Sequence, residues 1–288
     1  VQNLNFKFDD NKPLLENLSF NIPAGAKVCV MGDGGSGKSI LLELIGGTLK
    51  NFEGVINVNT IPINNLNQKE YRKNIGIFYN EQDIFEGTLY ENICMGNESI
   101  TPADIMKHAE MLEIKEFISL LPEGLYTPLQ PTGKGLSTII AKKILLLRAI
   151  THQPELLLLD EPFSNLDVEL RERLSIEVRD ILKARNMTAI LVTHDQHEAF
   201  AIADEVGVMN EGRIVQWDSP YSLYHEPANR FVADFIGEGT FLPGTVVSHN
   251  QIRIELGIVP SRMNPDCCVG CTVQVLIRPD DIIHNDQS

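Results

Sequence analysis

A glycine-rich segment near the start of the chain has the residue types and spacing of a phosphate-binding loop. Residues 32–39 match the pattern G-x-x-x-x-G-K-[ST]. Glycines let the backbone approach phosphate oxygens, and the N–H groups of such a loop converge on them. The pattern predicts that Lys38 reaches the β- and γ-phosphates of ATP and that the Ser39 hydroxyl holds Mg²⁺. The predicted loop residues are Gly32, Asp33, Gly34, Gly35, Ser36, Gly37, Lys38 and Ser39.

Two adjacent carboxylates end an apolar segment farther along the chain. Residues 156–159 are leucines, and Asp160 and Glu161 follow them. An apolar strand ending in Asp-Glu is common, so the interpretation depends on the phosphate loop. At the carboxyl edge of a parallel sheet, both groups would lie beside that loop. We then expect Asp160 to orient Mg²⁺ through its water shell and Glu161 to polarise the attacking water.

A histidine follows a third apolar segment. Residues 190–192 lead into Thr193, His194 and Asp195. Neutral imidazole donates one hydrogen bond while accepting another, so His194 could sense the γ-phosphate. Taken alone, a solvent-facing or helix-capping histidine is the commoner interpretation. Its place after the loop and the carboxylates favours the catalytic one, and the predicted catalytic residues are Glu161, His194 and Lys38.

Strands that alternate with helices are needed to position these residues. Apolar runs and helical spacing alternate through the middle of the chain, which predicts an α/β fold with a mainly parallel sheet covered on both faces. Residues 101–121 begin with Thr-Pro, a helix-start signal. The predicted strands are residues 27–31, 155–160 and 189–193, and the predicted helices are residues 40–45, 101–121, 138–150 and 168–184.

Both ends of the chain have β-like patterns. Apolar and polar residues alternate over residues 4–8 and again over residues 18–22, which predicts two strands of a small β-layer joined by a turn at residues 9–13. After about Gly237, short β-like segments at residues 244–247, 251–256 and 272–278 predict the start of a separate β domain.

Composition restricts the partners and the compartment. Acidic residues outnumber basic ones by 39 to 24, and a formal charge of −15 disfavours nucleic acid or an anionic lipid surface as partner. No apolar run approaches the roughly 20 residues that span a bilayer. With no secretory leader at its start, the sequence predicts a cytosolic protein. Cys268 and Cys271 have C-x-x-C spacing, which suits a metal or a redox pair; without a second pair, we expect free thiols.

The order of these motifs resembles that of the ATP-binding cassette (ABC) ATPases. The loop, the strand with Asp-Glu, Ser-Asn-Leu-Asp at residues 164–167 and the strand with His together cover about 240 residues. The resemblance implies a RecA-like P-loop NTPase core with an antiparallel β-layer and a helical subdomain at about residues 83–150. It places an ABC ATP-binding domain at residues 1–238 and a truncated, OB-like regulatory β domain at residues 239–288.

The resemblance also implies further site residues and partners. Phe8 takes the place of the aromatic residue that stacks on adenine, although it could be an ordinary strand aromatic that faces the core. Asp167 resembles the loop residue that communicates across a dimer, and His194 the switch histidine. ATP and Mg²⁺ are the implied cofactors. The implied partners are transmembrane permease subunits, at the cytoplasmic face of the membrane, and a second ATP-binding subunit in a head-to-tail dimer.

Three positions depart from the family pattern. The signature LSGGQ is replaced by Leu-Ser-Thr-Ile-Ile at residues 136–140, and β-branched Thr138 and Ile139 would crowd the backbone that approaches the partner's γ-phosphate. Asn80 aligns with the Mg²⁺-contacting glutamine, with Gln82 two positions away. Ile40 stands where a phosphate-binding threonine is usual. Outside the loop, the predicted cofactor contacts are Phe8, Ile40, Asp160, Ser137 and Asp167, and the predicted metal contacts are Ser39, Asn80 and Asp160.

The resemblance changes along the chain. Residues up to about 150 resemble exporter ATPase domains, whereas those from 154 onward resemble importer ATPases of the ferric-iron and polyamine type. Either two sequences are joined near residues 148–154, or one divergent family combines both styles. The favoured function is ATP hydrolysis that powers import. The alternatives are an exporter-type ATPase domain and a degenerate cassette that binds ATP and regulates a competent partner. A soluble ABC ATPase of DNA repair or translation is disfavoured by the acidic charge.

Overall fold

The computed structural model describes residues 1–8, 13–80, 83–261 and 267–282. The chain divides into two compact units, Val1–Ser222 and Leu223–Ser288. Within the described residues, no helix combines the length and apolar character needed to cross a bilayer. The predicted turn at residues 9–13 lies mostly outside the described residues, and so does Gln82.

The β-strands of the described residues occur in both units. In chain order they are β1 (Gln2–Lys7), β2 (Pro13–Leu18), β3 (Lys27–Gly32), β4 (Glu53–Val55), β5 (Asn57–Val58), β6 (Ile61–Pro62), β7 (Ile75–Phe78), β8 (Gly87–Thr88), β9 (Pro128–Leu129), β10 (Leu156–Asp160), β11 (Thr188–Thr193), β12 (Glu205–Asn210), β13 (Arg213–Asp218), β14 (Thr240–Ser248), β15 (Gln251–Ile254), β16 (Gly257–Pro260) and β17 (Thr272–Ile277).

The α-helices alternate with many of these strands. In chain order they are α1 (Lys38–Ile45), α2 (Gln68–Asn74), α3 (Leu89–Cys94), α4 (Pro102–Met111), α5 (Lys115–Leu120), α6 (Thr138–Ile150), α7 (Val168–Ala184), α8 (Gln196–Ile202), α9 (Pro220–His225) and α10 (Arg230–Phe235).

The first unit is built on a central sheet with the strand order β13-β12-β3-β11-β10-β7. All neighbouring pairs are parallel except β12 with β13. Every residue of β3 is buried, as expected for a parallel strand covered on both faces. This confirms the predicted α/β class. The carboxyl ends of β3, β10 and β11 meet at one edge of the sheet, where the predicted site residues follow them.

A smaller antiparallel sheet with the order β2-β1-β4 forms the predicted β-layer. The prediction of a strand over residues 18–22 is wrong, because β2 ends at Leu18. Leu15 and Leu18 are both buried although they are three residues apart, since the β1–β2 pairing shifts register between them. Beyond β2, the Phe20 N–H donates to the Val1 carbonyl at 3.1 Å, and the Phe20 ring stacks on Trp217 with ring centroids 5.0 Å apart.

The segment at residues 101–121 forms two helices instead of one. Thr101 and Asp104 make a capping box at the start of α4. The helix stops because Glu113 adopts a left-handed conformation with φ of 51° between α4 and α5. Helices α6 and α7 have the predicted bounds, residues 138–150 and 168–184.

The second unit contains an antiparallel sheet with the order β16-β15-β14-β17. Its apolar cluster centres on Ile252, Ile254 and Val275. Arg278 is buried and donates hydrogen bonds to the carbonyls of Tyr224 and Glu238, at 3.3 and 3.0 Å, which connects the helical start of the unit to the sheet.

The expectation of free thiols is wrong for one pair of cysteines. Cys268 and Cys271 form a disulfide. A tight turn brings their Cα atoms to 5.5 Å, since Gly270 has a φ of 90° and the Cys271 N–H donates to the Cys268 carbonyl. Cys29, Cys94 and Cys267 are free, as expected.

Candidate active site

The predicted phosphate loop connects β3 to α1, and Lys38 folds back into it. The Lys38 ammonium donates to the carbonyls of Gly32 and Asp33, at 2.7 and 2.9 Å. Burial lowers the pKa of Lys38, while the carboxylates of Glu161 and Asp160 act in the opposite direction. The loop is thus held in a curved conformation around a cation at its centre.

The glycines of the loop have two distinct roles. Gly37 has a φ of 98°, and a Cβ there would lie 2.6 Å from Leu15 Cδ2, so both backbone conformation and packing require glycine. Gly34 and Gly35 are exposed, and a Cβ on either would meet nothing within 4 Å. These two positions therefore leave open space above the loop, where phosphate groups have room to bind.

Ser39 and Asp160, two of the predicted metal contacts, meet at this edge of the sheet. The Ser39 hydroxyl donates to Asp160 Oδ1 at 2.9 Å. Burial raises the pKa of Asp160, although this hydrogen bond opposes the shift. Within the described residues, no group of three or more His, Cys, Asp or Glu side chains could hold a metal ion. A hydroxyl and a carboxylate fit Mg²⁺ that takes its remaining oxygens from phosphate and water.

Glu161 and His194, both predicted to be catalytic, are in direct contact. Glu161 Oε2 lies 2.8 Å from His194 Nδ1. Glu161 has a left-handed φ of 45°, and its N–H donates to the Val192 carbonyl at 2.9 Å. The Glu161 side chain is 19% exposed and the His194 side chain 64% exposed, so the imidazole lies on the solvent side of the carboxylate.

Asn80, the third predicted metal contact, forms hydrogen bonds with other side chains of the site. Its Oδ1 accepts hydrogen bonds from the Ser164 hydroxyl at 2.7 Å and from the Lys142 ammonium at 3.4 Å. No hydrogen bond joins Asn80 to Ser39 or Asp160 in the described part of the chain. The amide oxygen must give up one of its donors before it can bind a metal ion.

Lys142 is a residue of this site that the sequence interpretation missed. It lies on α6, is 8% exposed, and has its ammonium 3.2 Å from the Ser164 hydroxyl and 5.1 Å from the centre of the Phe78 ring. Burial lowers the pKa of Lys142, and the nearby carboxylates Glu198 and Glu161 oppose that shift. The sequence signal for this residue was the pair Lys142 and Lys143 inside an otherwise apolar helix. A buried charge needs a partner, so such a pair indicates polar contacts on that helix.

The remaining predicted contacts lie outside this cluster. Phe8 follows β1, is 54% exposed, and packs edge-on against Phe6 with centroids 5.1 Å apart, so its ring is available for stacking. Ile40 is half-buried and packs against the core. Ser137 caps α6 and Asp167 caps α7, through hydrogen bonds from the N–H groups of Ile140 and Leu170. In the described chain, neither cap hydrogen-bonds to the phosphate loop.

Comparisons of the sequence and the fold with known proteins identify one family and two similar proteins. Residues 15–164 match the family model described as "ABC transporter". The spermidine/putrescine import ATP-binding protein PotA of Acetivibrio thermocellus is 32% identical over 289 positions, which cover 98% of this chain and 78% of that protein. The structure of a bacterial Atm1-family ABC exporter with ATP bound has a TM-score of 0.73 and 26% identity over 81% of this chain. The chain spans 40% of that exporter's length.

Proposed function

Because this chain belongs to the ABC transporter family of ATPases, we propose that it binds ATP with Mg²⁺ at residues 32–39 and hydrolyses it at Glu161. The observation that carries the proposal is the convergence of two contacts at one edge of the sheet. Ser39 meets Asp160 there, and Glu161 meets His194. A metal-binding pair and an acid–base pair thus follow neighbouring parallel strands, beside a loop with space for phosphate.

Each side chain has a role that follows from its surroundings. Lys38 would exchange its carbonyl partners for the β- and γ-phosphates of ATP. Ser39 and Asp160 would hold Mg²⁺, which would supply positive charge to balance the transferred phosphoryl group. Glu161 is the general base for the attacking water, since it is a partly buried carboxylate with one oxygen already oriented by the imidazole. His194, on the solvent side, is placed to contact the γ-phosphate.

The proposed transport reaction is import of a polyamine-type solute. The similarity to an import ATP-binding protein extends over 98% of the chain, including the half that resembles exporters in sequence. Ferric iron is the alternative cargo within the same importer type. We further propose that the chain works at the cytoplasmic face of a membrane with permease subunits and a second ATP-binding subunit. Residues 239–288 would form part of a regulatory β domain.

A degenerate, regulatory cassette is the second candidate function. It is favoured by the first turn of α6, where Thr138 is exposed and Ile139 is half-buried. In a head-to-tail dimer this turn would face the partner's nucleotide, and its β-branched side chains keep the backbone N–H groups away from the γ-phosphate. Such a chain would bind ATP and depend on another subunit for an efficient site.

Substitution of the base tests the proposal. We expect Glu161→Gln to reduce ATP turnover by roughly 10²- to 10³-fold, because the amide cannot accept the proton from water. ATP affinity, measured by equilibrium binding, should stay near that of the parent. Glu172→Gln, on the exposed side of α7, is the matched control and should leave turnover unchanged.

The same assay separates the two candidate functions. It is run on the parent chain and on a signature-restored chain (Thr138→Gly, Ile139→Gly, Ile140→Gln). Measurable turnover in the parent that is unchanged in Glu161→Gln would remove Glu161 from the role of base. ATP binding without turnover in the parent, together with turnover in the restored chain, would favour the regulatory cassette.

A further inference from the structure

Arg171 contacts two segments of the site that are far apart in sequence. It lies on the first turns of α7 and its side chain is 25% exposed. One guanidinium nitrogen pairs with the Asp195 carboxylate, and another donates to the Leu166 carbonyl at 3.0 Å. The third, Nε, lies 3.4 Å from Glu198 Oε1. The three nitrogens of one planar group thus reach both segments.

The first of these segments carries His194. Asp195 follows it directly and caps α8, since its Oδ1 accepts hydrogen bonds from the N–H groups of His197 and Glu198. The Asp195 N–H also donates to the Thr193 hydroxyl at 3.1 Å. Asp195 therefore has a fixed position, and the guanidinium holds the carboxylate that lies next to the imidazole.

The second segment connects Glu161 to Asp167. The Ser164 N–H donates to the Glu161 carbonyl at 3.2 Å, and the Leu166 N–H donates to the Phe163 carbonyl at 3.4 Å, so this connection is a compact pair of turns. Leu166 is 6% exposed, and its carbonyl accepts from Arg171 one residue before the cap Asp167. The bond to Arg171 thus holds the end of the loop that begins at the proposed base.

We propose that Arg171 is a positioning residue that fixes the loop from Glu161 to Asp167 against the segment from Thr193 to Asp195. The Glu161–His194 contact closes the same ring from the opposite side. A displacement at Asp167 would then move His194, and the reverse. The catalytic part of this inference rests on the proposed ATP hydrolysis, whereas the structural link between the segments does not.

The geometry favours arginine over lysine at this position. Its two hydrogen-bond acceptors belong to different segments: the Leu166 carbonyl and the Asp195 carboxylate. A guanidinium presents N–H groups along a rigid fork, whereas an ammonium concentrates its donors at one point. Arg171→Lys keeps the charge and should maintain the pair with Asp195 while losing the bond to Leu166.

Three variants of the full chain test the link by hydrogen exchange and by kinetics. The variants are Arg171→Met, Arg171→Lys and the control Arg179→Met. Arg179 lies on the same helix and makes no hydrogen bond or ion pair within the described residues. Exchange is followed in peptides that cover residues 162–168 and 193–197, and turnover is measured in the signature-restored chain.

We expect Arg171→Met to speed exchange in both peptides and to lower kcat by roughly ten- to hundredfold, because a displaced catalytic group is costly, with KM for ATP nearly unchanged. Arg171→Lys should speed exchange only in the peptide at residues 162–168, and its kcat should lie between those of Arg171→Met and the chain with Arg171. Arg179→Met should match the parent in every measurement.

Other outcomes overturn the inference. Faster exchange in one peptide alone with Arg171→Met would show that the segments are not linked through Arg171. If Arg171→Met speeds exchange in both peptides but leaves kcat unchanged, Arg171 does not position the catalytic groups, and the proposed function still holds. If neither the parent nor the restored chain has turnover, the proposed function fails, while the exchange data still decide the structural link.

Discussion

Glu198 is a carboxylic acid in an almost fully buried position. Its Oε2 accepts a hydrogen bond from the Thr193 hydroxyl at 2.6 Å, and it is 3% exposed. Burial raises the pKa of Glu198 from 4.5 to about 7. The Asp195 and Glu161 carboxylates add to the shift, whereas the Thr193 hydrogen bond and Arg171 oppose it. Cys29 and the Lys142 ammonium are the other titratable groups that interact with it.

This shift predicts a pH-dependent effect of Glu198→Gln on stability. Between pH 4.5 and about 7 the folded protein binds more protons at Glu198 than the unfolded chain does, so Glu198 reduces stability as the pH rises through that range. Glutamine has the same shape and no charge. The difference in the free energy of unfolding between the Glu198→Gln variant and the parent should therefore grow in favour of the variant from about pH 5 to about pH 8, by up to about 3 kcal/mol.

Denaturant unfolding of the two proteins over that pH range measures the difference. Glu172→Gln, at an exposed position of α7, is the control and should follow the parent at every pH. A Glu198→Gln effect that is constant with pH would contradict the raised pKa.

A buried ion pair joins α6 and α7. The Lys143 ammonium lies 2.6 Å from Glu177 Oε2, with the side chains 5% and 10% exposed. Arg173 reaches the other oxygen of Glu177 at 3.2 Å. This pair fixes the helix that begins after Ser137 against the helix that begins after Asp167.

We expect Lys143→Met to lower the free energy of unfolding by about 3 kcal/mol, because a buried carboxylate is left with one partly exposed cation. The double variant Lys143→Met, Glu177→Leu should recover most of this loss, since an apolar pair of similar volume needs no desolvation. Thermal unfolding of the single and double variants gives the comparison. If the double variant loses as much stability as the two single variants together, Lys143 and Glu177 are not coupled.

The elements that could be predicted from sequence are those whose own residues determine their bounds. Helices α6 and α7 carry clear N-cap residues, Ser137 and Asp167, and the structure begins them there. The second strand could not be predicted, because a shift in its register against β1 breaks the two-residue alternation between Leu15 and Leu18. The break between α4 and α5 depends on a single backbone conformation, and Glu is not a residue that signals it.

The site shows the same division. That Ser39 would meet Asp160, and Glu161 His194, follows from the rule that carboxyl ends of parallel strands share an edge. The contacts of Lys142 and Arg171 come from helices that pack across the site, and sequence spacing contains no information about which side chains such packing brings together.

The proposed composite site needs two chains. The phosphate loop of one chain would be completed by residues 136–140 of another, where glycines are missing. We predict that a donor chain with Lys38→Ala and the restored signature raises turnover when it is mixed with the parent. The increase should be roughly tenfold or more, because backbone N–H groups at the γ-phosphate stabilise the charge that develops there in the transition state.

The donor lacks its own Lys38, so turnover above the sum of the separate proteins must come from the parent's loop. A Lys38→Ala chain that keeps Thr138 and Ile139 is the matched control and should add nothing. If the mixture shows no increase while the restored chain is active by itself, the head-to-tail arrangement is wrong.

The stack of Trp217 on Phe20 has a spectroscopic consequence. The chain contains one tryptophan, and its indole N–H donates to the Glu205 carboxylate at 2.7 Å. All three residues belong to the compact unit Val1–Ser222. Indole fluorescence therefore comes from that unit alone, and loss of the stacked ring on unfolding changes its emission. The nucleotide-binding unit carries its own optical reporter, which can follow its unfolding without a contribution from Leu223–Ser288.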